Sequence, residues 1–220
     1  MSSILGYVIS LPAILLVITV HEYFHGYVAY RLGDPTAKFA GRLTFNPIKH
    51  IDPFGFLAFL LFRFGWAKPV PVNPYNFRDV KKGMLYTSIA GPLSNLVFAI
   101  PLGLILRFFP DLLNNNLLLP IGGIIGFGMF YSLILSAFNL IPIPPLDGSK
   151  ALFSILPPRY AHIEYWLERY GFMLLIGLIF FDRITGVPIL WGWIGPFVSF
   201  FGQLFAGTPA FWTFIHNFLA

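Results

Sequence analysis

The chain has 220 residues, of which 57% are hydrophobic and 10% are charged, whereas about 25% of the residues of a soluble domain are charged. With a mean hydropathy of +0.75, this composition predicts an integral membrane protein that forms a single domain over residues 1–220. The net charge of +5 contains no block of basic residues, which favours contact with the lipid bilayer and argues against nucleic-acid binding. Because cysteine is absent, any transition metal must be held by histidines and carboxylates.

The first predicted membrane helix, Ile4–Leu32, carries a metal-binding pattern near its end. In His21-Glu22-Tyr23-Phe24-His25 the histidines are four residues apart, so that both rings share one helix face and can bind one ion. Glu22 lies about 100° round the helix from His21 and is free to act on a water molecule as a general base. Ionisable groups deep in a membrane helix are costly and indicate function, although polar residues can also mark the end of a helix at the interface.

The remaining elements follow from apolar length and from the positions of proline. Phe54–Phe64 is too short for a span, which needs about 20 residues, so we expect it to be re-entrant or to lie on the surface. The proline-rich stretch Trp66–Asn76 cannot be helical and is expected to be an extended edge strand or a loop. Further spans are predicted at Met84–Phe109, Leu117–Ile141, Tyr165–Phe181 and Val187–Phe205, and the aromatic tail Phe211–Phe218 is expected at the interface.

These elements predict an all-α membrane protein with about five or six transmembrane helices and a short extended or re-entrant segment. The catalytic core is expected at about residues 4–150 and accessory helices at about residues 151–220. Basic residues between the first two long spans place residues 31–82 in the cytoplasm and the N-terminus outside a multi-pass cell-membrane protein. Counting spans then brings the end of the third span, near Ile141, to the same side of the membrane as the histidine pair.

Two histidines do not complete a catalytic zinc site, which needs a third protein ligand and a water. Asp147 is the best candidate, because prolines interrupt the third span just before it and Gly148 permits a sharp turn. Its alternatives are an ion pair with Lys150 or a helix N-cap. Asp52 competes for the same role, and His50 and Asp52 could ligate or gate the metal, although a polar loop tolerates both.

Two asparagines lie within the predicted spans. Asn95 sits in the second span and Asn139 near the end of the third. Each could hydrogen-bond between helices, or could donate to the oxyanion that forms when water attacks a peptide carbonyl.

Three motifs occur in order on successive spans: His21-Glu22-x-x-His25, Gly91-Pro92-x-x-Asn95 and Asn139-Leu-x-Pro-x-x-x-Leu-Asp147-Gly148. In this combination the chain resembles the site-2 protease family of intramembrane zinc metalloproteases, and in particular its minimal prokaryotic branch without a PDZ or nucleotide-sensing domain. The resemblance implies His21, His25 and Asp147 as zinc ligands and Glu22 as catalytic base. It also places Asn95 and Asn139 near the site.

We therefore expect a metalloendopeptidase with one Zn²⁺ per chain that hydrolyses membrane-spanning protein substrates near the cytoplasmic face; no pattern specifies an oligomeric state. A helical substrate hides its carbonyls and must unwind, and the segment Pro69–Asn73 could pair with it as an added strand through Val70 and Val72. The alternative is a surface loop with Trp66 as an interfacial anchor. The rival function is a non-enzymatic metal-binding or ion-transporting membrane protein whose histidines line an ion path.

Overall fold

The computed structural model describes residues 3–62 and 65–219, and within them it is helical, without a β-strand. Four helices in this part of the chain are long and apolar enough to cross a membrane: α1 (Ser3–Arg31, candidate span Gly6–Arg31), α4 (Val80–Phe108), α6 (Leu119–Asn139) and α9 (Ile189–Ala206). The other α-helices are α2 (Thr36–Phe39), α3 (Pro53–Phe62), α5 (Asp111–Asn114), α7 (Asp147–Ile155), α8 (Ala161–Thr185) and α10 (Thr208–Phe218). The all-α fold class is confirmed.

The expected five or six spans are not confirmed, because the described residues contain four candidates. The difference lies in α8, which includes the span predicted at Tyr165–Phe181. Charged residues near both ends of α8 leave Tyr170–Phe181 as its uncharged stretch, which is 12 residues long. That length is well short of the about 20 residues that a span needs.

The segment that leads from residue 65 to α4 is irregular. Helix α3 has 10 residues, and the last two residues of the predicted segment Phe54–Phe64 lie outside the described residues; a re-entrant path is not confirmed. Ala67, beyond α3, forms an isolated antiparallel bridge with Ile51, which precedes α3. A 3₁₀ turn covers Pro74–Asn76. Trp66–Asn76 is therefore a loop with one bridge, since Pro69, Pro71 and Pro74 lack the N–H groups that a ladder requires.

The core lies where α4 and α6 pack together, with α1 against both. Helix α10 adds to this core from the tail that was predicted at the interface. Its Phe211 and Phe214 are buried, and Phe214 packs edge-on against Phe127 of α6. Gly126 makes this contact possible, because a β-carbon there would overlap the Phe214 ring. The tail is thus partly a packing element.

The end of α6 leads directly to Asp147. The helix stops at Asn139, the prolines that follow prevent its continuation, and α7 begins at Asp147. Gly148 is not among the glycines with positive φ. A β-carbon on it would lie 2.5 Å from the carbonyl oxygen of Leu140, so glycine is required here for space and not for the sharp turn that the sequence suggested.

Candidate metal centre

Three side chains from distant parts of the sequence converge on one point. His21 and His25 lie one turn apart on α1, and Asp147 is the first residue of α7. The Nε2 atoms of His21 and His25 are 3.0 Å apart. Oδ2 of Asp147 lies 3.1 Å from Nε2 of His21 and 3.0 Å from Nε2 of His25. All three residues are buried. Among the described residues this is the one group of three or more such side chains that could hold a metal ion.

The orientation of His25 is set by a backbone carbonyl of α4. Nδ1 of His25 lies 2.7 Å from the carbonyl oxygen of Thr87. A carbonyl oxygen only accepts, so Nδ1 must carry the proton and donate it. In the neutral ring the lone pair is then on Nε2, which faces His21 and Asp147. This is the arrangement of a metal-binding histidine whose second nitrogen is anchored.

His21 is held by the fully buried amide of Asn95. The Nδ2 group of Asn95 lies 3.1 Å from Nδ1 of His21, while its Oδ1 is buried without a partner among the described residues. Metal binding through Nε2 puts the ring proton of His21 on Nδ1. Rotating the Asn95 amide by 180° brings Oδ1 to this position, where it can accept a hydrogen bond from Nδ1–H. The contact makes Asn95 a partner of a predicted ligand, and its oxyanion role stays a prediction.

Thr87, Gly91 and Asn95 follow one another at intervals of four residues and so share the face of α4 that meets the histidines. Gly91 lies between the two anchoring residues. A β-carbon on it would lie 2.6 Å from Cε1 of His25 and 2.7 Å from Cε1 of His21, which is closer than real β-carbons approach such atoms. Glycine therefore allows α4 to pack directly on both rings.

The residues present fit a zinc ion. Ligand atoms about 2.0–2.2 Å from a tetrahedral zinc lie about 3.3–3.5 Å from one another, and the observed separations are 3.0 to 3.1 Å. Two imidazole lone pairs and a carboxylate oxygen this close repel one another unless a proton or a cation lies between them. Two histidines and one carboxylate also form a known catalytic zinc set that leaves the fourth position for water.

Glu22 lies outside this group, and its carboxylate is anchored by the backbone. Its Oε2 accepts a hydrogen bond of 2.8 Å from the N–H of Val70. Among the described residues, this is the one hydrogen bond to the Glu22 carboxylate, and Oε1 receives none. One oxygen is thus fixed, and the other is available to accept a proton.

The same contact corrects one expectation about the loop. The amide of Val70 is not free for a substrate, because the buried Glu22 carboxylate needs a donor. The amide of Val72, in contrast, donates to none of the residues that the structure describes. Only Val72 retains the free N–H that the strand-pairing hypothesis requires.

His50 and Asp52 are engaged elsewhere. Nε2 of His50 lies 2.8 Å from the carbonyl oxygen of Thr44, and Oδ1 of Asp52 accepts a hydrogen bond of 2.8 Å from the N–H of Gly55 at the start of α3. Neither belongs to the group around His21. The structure thus brings Asp147, and not Asp52, to the histidines; a gating role of the pair stays a prediction.

Asp147 does not cap α7 with its side chain, and its contact with Lys150 is long, at 3.9 Å, on a half-exposed lysine. An exposed pair of this kind contributes about 0–1 kcal/mol, so it does not account for the buried carboxylate. Asn139 donates to the carbonyl oxygen of Leu135 in its own helix at 3.1 Å. It makes no hydrogen bond to the three converging side chains.

Two buried charged residues near the site were not predicted from the sequence. Asp34 is fully buried and accepts hydrogen bonds of 2.7 Å from the N–H of Asn73 and from the amide of Asn76. Burial alone would raise the pKa of Asp34, but the hydrogen bonds from Asn76, Thr36 and Asn73 lower it below its usual value. The second residue is the buried Arg42. In the sequence it looks like the other basic residues that follow the first span, so no local signal indicates that it is buried.

Two buried histidines and a nearby glutamate lie on α1, which is long enough to cross a membrane, and a carboxylate of α7 adjoins the histidines. These features define the class of membrane metalloproteases. Residues 115–178 match the model of Peptidase family M50. The chain is 41% identical over 179 residues to "Putative zinc metalloprotease YwhC" of Bacillus subtilis. These aligned residues cover 79% of this chain and 80% of that protein.

Two further relatives carry the same description. Rip2 of Mycolicibacterium smegmatis is 30% identical over 203 residues, which cover 90% of this chain and 73% of the relative. MJ0611 of Methanocaldococcus jannaschii is 31% identical over 153 residues, which cover 68% of this chain and 72% of the relative. The chain therefore belongs to peptidase family M50, the site-2 protease family, and is a metalloprotease. No solved structure matches it significantly.

Proposed function

We propose that this protein is a zinc-dependent intramembrane endopeptidase that holds one Zn²⁺ per chain and cleaves membrane-spanning protein substrates near the cytoplasmic face. The observation that carries the proposal is the buried convergence of His21, His25 and Asp147 among helices long enough to cross a membrane. The names of the relatives support zinc as the ion. The basic residues between α1 and α4 support the orientation, with the N-terminus outside.

The ligands and the base would have separate roles. His21, His25 and Asp147 would hold the ion, and bound zinc would supply Lewis-acid activation of the water and of the scissile carbonyl. Glu22, with Oε2 fixed by Val70, would take the proton from the attacking water at Oε1 and pass it to the leaving amine. This division fits the structure, in which Glu22 is buried but lies outside the group of ligand atoms.

The substrate would bind in an extended form beside the loop that contains Val72. The N–H of Val72 and the carbonyl oxygens of Val70, Pro71 and Val72 form no hydrogen bond with the described residues, so they are open to an unwound chain. The loop touches the catalytic glutamate at Val70. A chain paired at residues 70–72 would therefore lie next to Glu22.

The test is cleavage of a labelled single-span protein by the purified chain in lipid vesicles. We expect cleavage that a zinc chelator abolishes and that added Zn²⁺ restores, with Glu22→Gln as an inactive control. Absence of cleavage by the unaltered, zinc-loaded protein, together with ion flux across the vesicles, would favour the ion-transport rival.

A further inference from the structure

Arg42 is a buried arginine without a carboxylate partner among the described residues. It is 6% exposed, and none of the described acidic side chains forms an ion pair with it. Its guanidinium instead donates to two consecutive backbone carbonyls, from Nη2 to Lys68 at 2.6 Å and from Nη1 to Pro69 at 3.3 Å. Burying a guanidinium is costly, so the position of these two carbonyls must matter to the fold or to the site.

The next backbone group after these carbonyls is the N–H of Val70, which donates to Glu22. Pro69 and Pro71 flank Val70, and each fixes its own φ and lacks an N–H. The stretch is therefore stiff, and a shift at the carbonyls of residues 68 and 69 moves the Val70 amide with it. The Val70 side chain is also buried, and a β-carbon on Gly26 would lie 3.1 Å from it.

The charges are consistent with this geometry. Burial lowers the pKa of Arg42, and the attraction of the Glu22 carboxylate opposes that change. A guanidinium stays protonated in proteins. Arg42 therefore places a positive charge at the carbonyl end of the Pro69–Val70 peptide unit, whose N–H contacts Glu22. Asp34 anchors the other end of the same loop through the Asn73 N–H.

We propose that Arg42 is a positioning residue for Glu22: it clamps the carbonyls of Lys68 and Pro69 and thereby holds the Val70 amide on Oε2 of the carboxylate. Oε1 is then oriented for proton transfer. The proposal rests on the proposed function in that Glu22 is taken as the general base. Arg42 forms no hydrogen bond with the three converging side chains and acts through the backbone of the loop, not on the substrate.

The first test compares Arg42→Gln with Arg42→Lys in the full chain. Loss of a residue that supports a catalytic group costs about 10–100-fold in activity, so we expect Arg42→Gln to lower kcat by this factor with KM and zinc content unchanged. The kcat of Arg42→Lys should lie between those of Arg42→Gln and the unaltered protein, because an ammonium group cannot bind two carbonyls as a planar guanidinium does. Lys49→Gln, which removes an exposed positive charge from the same connection, is the matched control.

A second measurement does not depend on cleavage. Hydrogen exchange of a peptide that covers residues 68–72 reports on three amides, because Pro69 and Pro71 have no N–H. The Lys68 amide donates to His50, the Val70 amide donates to Glu22, and the Val72 amide is free. We expect Arg42→Gln to expose the Val70 amide to exchange. This readout stands even if the unaltered protein cleaves no substrate, which would refute the proposed function alone.

A double-mutant cycle closes the test. Val70→Pro removes the amide through which Arg42 acts, so Arg42→Gln combined with Val70→Pro should cost no more than Val70→Pro alone. Additive losses, a rise in KM at constant kcat, or unchanged exchange at Val70 would each overturn the proposal. If Arg42→Gln does not fold, Arg42→Lys carries the test, and a wild-type kcat in that variant would refute the clamp.

Discussion

Gly91 leaves the space that the ring of His25 occupies, since a β-carbon at residue 91 would lie 2.6 Å from Cε1 of His25. The ring cannot retreat without breaking its hydrogen bond to Thr87. Gly91→Ala is therefore expected to displace the histidines and to lower zinc affinity by at least about tenfold, as measured by metal titration. Gly177→Ala, which places a methyl group where nothing lies within 4 Å, is the control, and equal zinc affinity in both variants would refute the packing argument.

Glu22→Gln should retain zinc and lose cleavage. Glutamine matches the shape of glutamate and its carbonyl can still accept the Val70 N–H, but it cannot take a proton, so we expect a fall in kcat of about 10²–10⁴-fold. His21→Ala should lose the metal as well. Metal analysis beside the cleavage assay separates the two effects, and a Glu22→Gln protein that cleaves at the wild-type rate would refute the mechanism.

Asp147 is expected to be the third zinc ligand, in place of its competitor Asp52. Asp147→Ala should lose bound zinc, because Oδ2 of Asp147 faces both histidines. Asp52→Ala should keep zinc and lose about 1 kcal/mol of stability, since its side chain caps the start of α3. Zinc content and thermal unfolding of the two variants decide between them, and the reverse pattern would assign the metal to Asp52.

Asn95 is expected to support zinc binding through His21. Asn95→Ala removes the contact to Nδ1 and should weaken zinc binding by about 10–100-fold. Asn95→Asp should lose less, because a carboxylate oxygen can accept the Nδ1 proton. If Asn95→Ala keeps full zinc affinity and lowers only kcat, the residue acts on the oxyanion instead.

Pairing of the substrate with the loop is expected to depend on the amide of Val72. Val72→Pro removes this N–H, which no described residue uses, without disturbing the bond between Val70 and Glu22. We expect KM for a membrane-spanning substrate to rise several-fold, as one hydrogen bond of about 0.5–1.5 kcal/mol is lost. Val72→Ala, which keeps the amide, is the control. Undiminished cleavage by Val72→Pro with zinc bound would refute the strand-pairing hypothesis.

The sequence by itself determined the class of protein, the long helices α1, α4, α6 and α9, and the candidate metal ligands. These follow from local signals. Apolar length predicts spans, a four-residue interval places His21 and His25 on one helix face, and prolines predict the interruption before Asp147. The same local reasoning is not confirmed for α8, where a short apolar stretch between charges was counted as a span.

Only the tertiary structure decided which groups meet. His21 and Asp147 are 126 residues apart in the chain. The prolines before Asp147 favoured it over Asp52, but only the packing of the helices shows that its carboxylate reaches the histidines. The role of Gly91 depends on how closely α4 approaches α1. The contacts of Glu22 and Arg42 are with backbone N–H and C=O groups, which every non-proline residue carries, so no side-chain pattern could predict that these amides and carbonyls are those of residues 68–70.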